Sequence, residues 1–108
     1  MNKLLVAAVM LALPAAVQAK GNVAEGKKKA ETVCAACHGP DGNKPSTPDQ
    51  PILAGQHYDY LVRALTDYKN GRRANAIMKG FAAQLSKKDI EDLAAFFASQ
   101  KSSLHDQR

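Results

Sequence analysis

Cys34 and Cys37 stand three positions apart, and His38 follows at once. Residues i and i+3 of a helical turn face the same way. Both sulfurs can therefore reach one edge of a flat macrocycle while the next residue turns its imidazole beneath the centre. Cys-x-x-Cys-His is the spacing of covalent c-type haem attachment, and a neutral imidazole nitrogen is a good ligand for haem iron. A bare Cys-x-x-Cys also serves as a thioredoxin-like redox pair, half of a zinc site or a plain disulfide. The thioredoxin reading requires a βαβ pattern, and the chain has none. The zinc reading requires four ligands, yet only His57 and His105 remain, with no second cysteine pair.

A haem iron held by one histidine needs a second axial group. Met78 is the one methionine beyond the first nineteen residues. A thioether is a soft ligand, and a His/Met pair raises the reduction potential. The alternative is a methionine used to fill a gap in the core. The polar, glycine-flanked surroundings of Met78 (residues 71–80) read as a loop rather than an apolar stripe, which favours ligation. His57 heads a helical segment and reads as a surface or capping residue. His105 lies in a polar tail and is a weak candidate.

The elements that must position these groups are helical. Residues 23–34 carry Ala and Lys helix formers, with Val23, Ala30, Val33 and Cys34 able to share a face. Gly26 lies inside this helix at a cost of about 1 kcal/mol against Ala, which suggests close approach of another element. Residues 39–55 hold Pro40, Pro45, Pro48 and Pro51 with Gly42, a composition that excludes helix and central strand. This loop would wrap the haem on the His38 side. Residues 56–70 read as a helix closed by Gly71, with Tyr58, Leu61, Leu65 and Tyr68 at helical spacing. Ser86 and Asp89 form a capping-box-like start to a last helix, on which Ile90, Leu93, Ala94 and Phe97 make one stripe. The expected fold class is all-α: about four helices and two long loops around one covalently bound haem.

Residues 1–19 read as a secretory signal peptide. Lys3 supplies the positive start, residues 4–13 are an unbroken apolar run too short to span a bilayer, and Val17-Gln18-Ala19 ends in a cleavage pattern. The alternative is an uncleaved membrane anchor. Cleavage would leave residues 20–108 as one domain in the periplasm, a compartment that permits disulfides, although both cysteines of the chain lie in the haem motif. A core this small is marginal, so the haem would supply much of it, in keeping with three Phe, three Tyr and no Trp. The formal net charge is +5, but the basic residues are scattered and no nucleic-acid motif is present. The run Lys27-Lys28-Lys29 reads as a solvated helix face, with a docking patch as the alternative.

At this point the chain resembles the small bacterial class I cytochromes c, of the single-haem c5/c553 type and similar to one domain of cytochrome c4. The resemblance covers nearly all of residues 20–108. It rests on Cys34-Ala35-Ala36-Cys37-His38-Gly39, Pro51-Ile52-Leu53-Ala54-Gly55-Gln56, Tyr60-Leu61, Gly71-Arg72, Met78-Lys79-Gly80, and Leu85-Ser86 through Phe96-Phe97. The resemblance implies that Cys34 and Cys37 carry the thioether bonds and that His38 and Met78 are the axial ligands. It implies that the Pro51 carbonyl accepts the other ring N–H of His38, and that Gly26 packs against Phe96 where the first and last helices cross. Leu53, Tyr60 and Phe97 would line the haem, and Arg72 or Arg73 would pair with a propionate.

With both axial positions filled, chemistry at the iron is not expected, and the resemblance implies a one-electron carrier rather than an enzyme. It would shuttle in the periplasm between a membrane donor complex and a terminal oxidase or reductase, in transient contact with membrane respiratory complexes. Its partners would be redox proteins with acidic docking surfaces, steered by Lys27, Lys79 or Lys87, and it would be a monomer. The alternative is a haem-bearing subunit or dedicated partner of a periplasmic oxidoreductase.

Overall fold

The computed structural model describes residues 21–103. The expected signal peptide at residues 1–19 and His105 lie outside them. Among the described residues there are five helices and no strand: α1 (Val23–Val33), α2 (Ala35–His38), α3 (Tyr58–Asn70), α4 (Ala76–Ala82) and α5 (Lys87–Ser99). None is long and apolar enough to cross a membrane.

Local chemistry sets the helix ends. Asn22 caps α1 by accepting the Glu25 N–H at 2.9 Å. Ser86 and Asp89 complete a reciprocal capping box at α5, each side chain taking the other's backbone N–H at 3.0 Å. Gly71 closes α3 with a left-handed φ of 81°, the conformation glycine adopts without the steric cost of a Cβ. Its N–H and those of Arg72 and Arg73 return to carbonyls of Tyr68 and Asp67.

The core lies where α1 crosses α5 and where α3 packs on α5. Ala30, Leu61, Leu85, Ile90, Leu93, Ala94, Phe96 and Phe97 form one buried cluster. The stripe expected on α5 is buried throughout, and Phe96 and Phe97 meet with ring centroids 5.1 Å apart in a tilted pair. Gly26 is buried at the crossing, against Phe96 and the Asp92 backbone. The Asp92 carboxylate is also buried, but it accepts the Asn22 N–H at 2.8 Å and pairs with Lys88 Nζ at 2.6 Å. A buried charge persists only with such partners.

One expectation fails. Residues 71–80 are not all loop, because α4 begins at Ala76 and carries Met78 on its first turn. Asn75 is the reason. Its extended backbone and side-chain oxygen cap the helix, accepting the Met78 N–H at 3.0 Å. With this helix and the short α2 at the cysteine motif, the described residues hold five helices, where about four were expected.

The loop of residues 39–55 is tied to the segment after α5. Asn43 donates from Nδ2 to the Lys101 carbonyl at 2.9 Å, and its Oδ1 accepts the Ser103 N–H at 2.6 Å. Gly55 N–H donates to the Phe97 carbonyl at 2.9 Å. Within the loop, the Gly42 carbonyl accepts both Leu53 and Ala54 N–H groups, at 2.8 and 3.3 Å.

Candidate haem site

A cavity of about 370 Å³ opens between the cysteine motif, the 39–55 loop, α3 and α4. Cys34, Cys37 and His38 line it from one side. Pro51, Ile52 and Leu53 contribute from the loop, Tyr60, Leu61, Leu65 and Tyr68 from α3, Met78 and Phe81 from α4, and Leu93 and Phe97 from α5. The lining is mostly apolar with few polar groups, as cofactor sites generally are.

The cysteine motif forms its own helical turn. Cys34 ends α1 and caps α2, and its carbonyl accepts the N–H groups of Cys37 and His38 at 3.2 and 3.0 Å. This turn brings both thiols to the same cavity. Burial pushes the Cys34 thiol up to about 11, with the neighbouring Cys37 adding to the shift.

His38 is buried, 6% exposed, and its Nδ1 lies 3.0 Å from the Pro51 carbonyl oxygen. A carbonyl only accepts, so Nδ1 carries the proton and Nε2 is the basic nitrogen. Among the described residues nothing bonds Nε2. A buried basic nitrogen with no protein partner, in a cavity that also holds two thiols and a thioether, suits a haem tethered at Cys34 and Cys37 with its iron on His38. The zinc alternative gains no support: the described residues contain no group of three or more His, Cys, Asp or Glu side chains able to hold a metal ion.

The two arginines part ways. Arg73 lines the cavity, donates to the Tyr60 hydroxyl at 3.2 Å, and lies over the Tyr68 ring with its guanidinium carbon 4.9 Å from the centroid. The Tyr60 hydrogen bond, first among several influences, raises the Arg73 pKa above its ordinary value. Arg72 faces away, into a surface depression shared with Asp59, Arg63 and Asp67. His57 is the backbone cap of α3, exposed, and its side chain makes no capping bond.

Two groups at the site escape a reading of the sequence. Gln50 lines the cavity and accepts three hydrogen bonds within its loop. Ile77 lies beside Met78 on α4 and is 68% exposed, while Phe81 on the same helix is 41% exposed. An i, i+4 apolar pair was visible in the sequence, but only once residues 76–82 are recognised as helix.

The sequence model of the cytochrome c family matches residues 23–101. The chain belongs to the cytochrome c family, whose members carry covalently bound haem c, and Cys34 and Cys37 fit its attachment motif. It is similar to cytochrome c4 of Pseudomonas aeruginosa, with 48% identity over 105 residues that cover 96% of this chain and 51% of that one. It is also similar to cytochrome c-554(548) of Halomonas halodenitrificans, 40% identical over 84 residues that cover 75% of this chain and 99% of the other. Among solved structures, reduced cytochrome c4 from Pseudomonas stutzeri superposes with a TM-score of 0.71 at 42% identity, covering 78% of this chain and 48% of that one. The chain thus spans about half the length of the cytochrome c4 relatives it matches.

Proposed function

We propose that this chain is a periplasmic one-electron carrier whose haem is tethered at Cys34 and Cys37 and held by His38 and Met78. The observation that carries the reading is the His38–Pro51 hydrogen bond of 3.0 Å, which fixes the ring and leaves Nε2 as the donor atom. When bound, the haem supplies an Fe(III)/Fe(II) couple. The protein's part is to hold the ligands, exclude water and set the potential. His38 is held by Pro51, and Met78 by the turn that Asn75 caps. Apolar Leu53, Leu61, Leu93 and Phe97 keep the site dry. Arg73, anchored by Tyr60, offers its remaining donors to a carboxylate such as a haem propionate.

Two protein ligands leave no open iron position, so the chain carries electrons rather than transforming a substrate. Lys27, Lys79 and Lys87 are exposed. They suit brief docking to acidic redox partners, including membrane respiratory complexes, through an interface under about 1,200 Å².

Optical spectra of the purified exported protein, oxidised and reduced, test this reading, with Met78→Ala beside it. The expected result is a haem that denaturant does not extract, and a Met-to-ferric charge-transfer band that vanishes in the variant. A colourless product rejects the carrier. A band unchanged in Met78→Ala rejects the distal ligand, and carbon monoxide binding to the reduced unmodified protein rejects the closed iron. Co-purification of a stoichiometric oxidoreductase would instead make the chain a dedicated subunit.

A further inference from the structure

The His38–Pro51 bond is only as rigid as the loop that delivers Pro51, and that loop is closed by the preceding side chain. Gln50 Oε1 accepts the Ser46 N–H at 2.9 Å, the Ser46 hydroxyl at 2.9 Å and the Thr47 N–H at 3.2 Å. The Gln50 N–H returns to the Thr47 carbonyl at 3.2 Å. Ser46 N–H is shared with the Cys37 carbonyl, also at 2.9 Å, and Lys44 N–H reaches the His38 carbonyl at 3.1 Å. A closed circuit results. It runs from the His38 ring to Pro51, through the peptide to Gln50, across its side chain to Ser46, and back to the carbonyl of Cys37, the residue before His38. Gln50 Oε1 is the side-chain acceptor in this circuit, and the same turn is braced by the Gln50 N–H bond to the Thr47 carbonyl and by the Thr47 hydroxyl on Asp49.

We propose that Gln50 is a positioning residue for the His38 ligand: its Oε1 fixes the Pro51 carbonyl against Nδ1–H and thereby helps set the reduction potential. A firm bond from Nδ1–H to a carbonyl raises the basicity of the imidazole and so favours the ferric state. Opening the circuit weakens that push and raises the potential. The alternative, a Gln50 that acts on the cavity only through its polarity, would shift the potential but leave the exchange of the His38 Nδ1 proton unchanged.

The test uses the holoprotein with Gln50→Leu, Gln50→Glu and Ser46→Ala. Leu has no acceptor, so its potential should rise, by up to about tenfold in the Fe(III)/Fe(II) equilibrium, or about 59 mV for one electron. The His38 Nδ1 proton should exchange faster by about fivefold to tenfold in the reduced protein. Glu keeps an acceptor oxygen for the same three donors and adds a negative charge at the cavity, which stabilises the ferric state. Its potential should fall while the proton stays protected. Ser46→Ala removes one of the three bonds and should move both readouts slightly in the direction of Leu.

An unchanged or lowered potential in Gln50→Leu, or unchanged proton exchange, overturns the proposal. Should the Leu variant fail to hold haem, Ser46→Ala decides: no movement in either readout has the same consequence. The inference rests on His38 ligating the iron. Failure of that reading would show as an abnormal spectrum in the unmodified protein, whereas failure of the Gln50 role leaves that spectrum normal.

Discussion

Gly26 and Phe96 meet with no room for a side chain between them. A Cβ on Gly26 would lie 2.8 Å from Phe96 Cβ and 1.9 Å from the Asp92 carbonyl oxygen. The second contact is with backbone and cannot be relieved by a rotamer change. Gly26→Ala must therefore push α1 away from α5 and disturb the buried cluster they share. The expected loss of stability is about 3 kcal/mol or more, above the usual range for overpacking. Urea unfolding of the haem-loaded protein measures it.

Gly80 is the opposite case. It lies within α4, and a Cβ there would meet nothing within 4 Å. Gly80→Ala should stabilise the protein by about 0.5–1 kcal/mol by restricting the unfolded chain. Thermal unfolding, with the optical spectrum unchanged, is the check.

The paths of Arg72 and Arg73 predict different redox behaviour. A cation near the iron disfavours the ferric state, so removing it lowers the potential. Arg73→Leu should lower it by up to about 59 mV, a tenfold change in the equilibrium. Arg72→Leu should leave it within a small fraction of that. Equal effects from the two would contradict the side-by-side geometry in which only Arg73 lines the cavity.

Asp89 makes acid stability measurable. The Ser86 backbone N–H is the main reason its carboxyl is held below the ordinary value of 3.8, with the Ser86 hydroxyl and Lys29 helping. A depressed carboxyl contributes stability fully above its unfolded value and loses it as pH falls through the lower folded value. The native protein should therefore weaken below about pH 4. Asp89→Asn should flatten that part of the profile, and Ser86→Ala should cost about 1 kcal/mol at neutral pH as a lost cap.

The sequence is most legible where independent rules agree. The α5 stripe with its capping box, and α3 with Gly71 at its end, join helical periodicity to a start or stop signal, and α1 follows from its helix formers and periodicity. In the 71–80 segment two rules compete. Gly80 and the polar run before it signalled loop, while Asn75 supplied a cap that outweighed them over seven residues. The cysteine motif announced its chemistry through residue type and spacing. The His38–Pro51 contact was available only through family resemblance, since the pair lies thirteen positions apart across irregular chain. The fates of Arg72 and Arg73 were not legible at all. Neighbours after a left-handed turn point to different surfaces, and only the tertiary position of Tyr60 and Tyr68 decides which faces inward.

Asn43 grips Lys101 and Ser103 on one side and adjoins Gly42 on the other, so a pull on the chain just past α5 is transmitted to the loop that carries Pro51. Anyone wiring this protein to an electrode, or appending an affinity handle downstream, should leave slack beyond Ser103. A taut linker there would act as an unintended tuning screw on the metal, while an attachment at the exposed face of Lys27 and Lys28 would leave the voltage as the native protein has it.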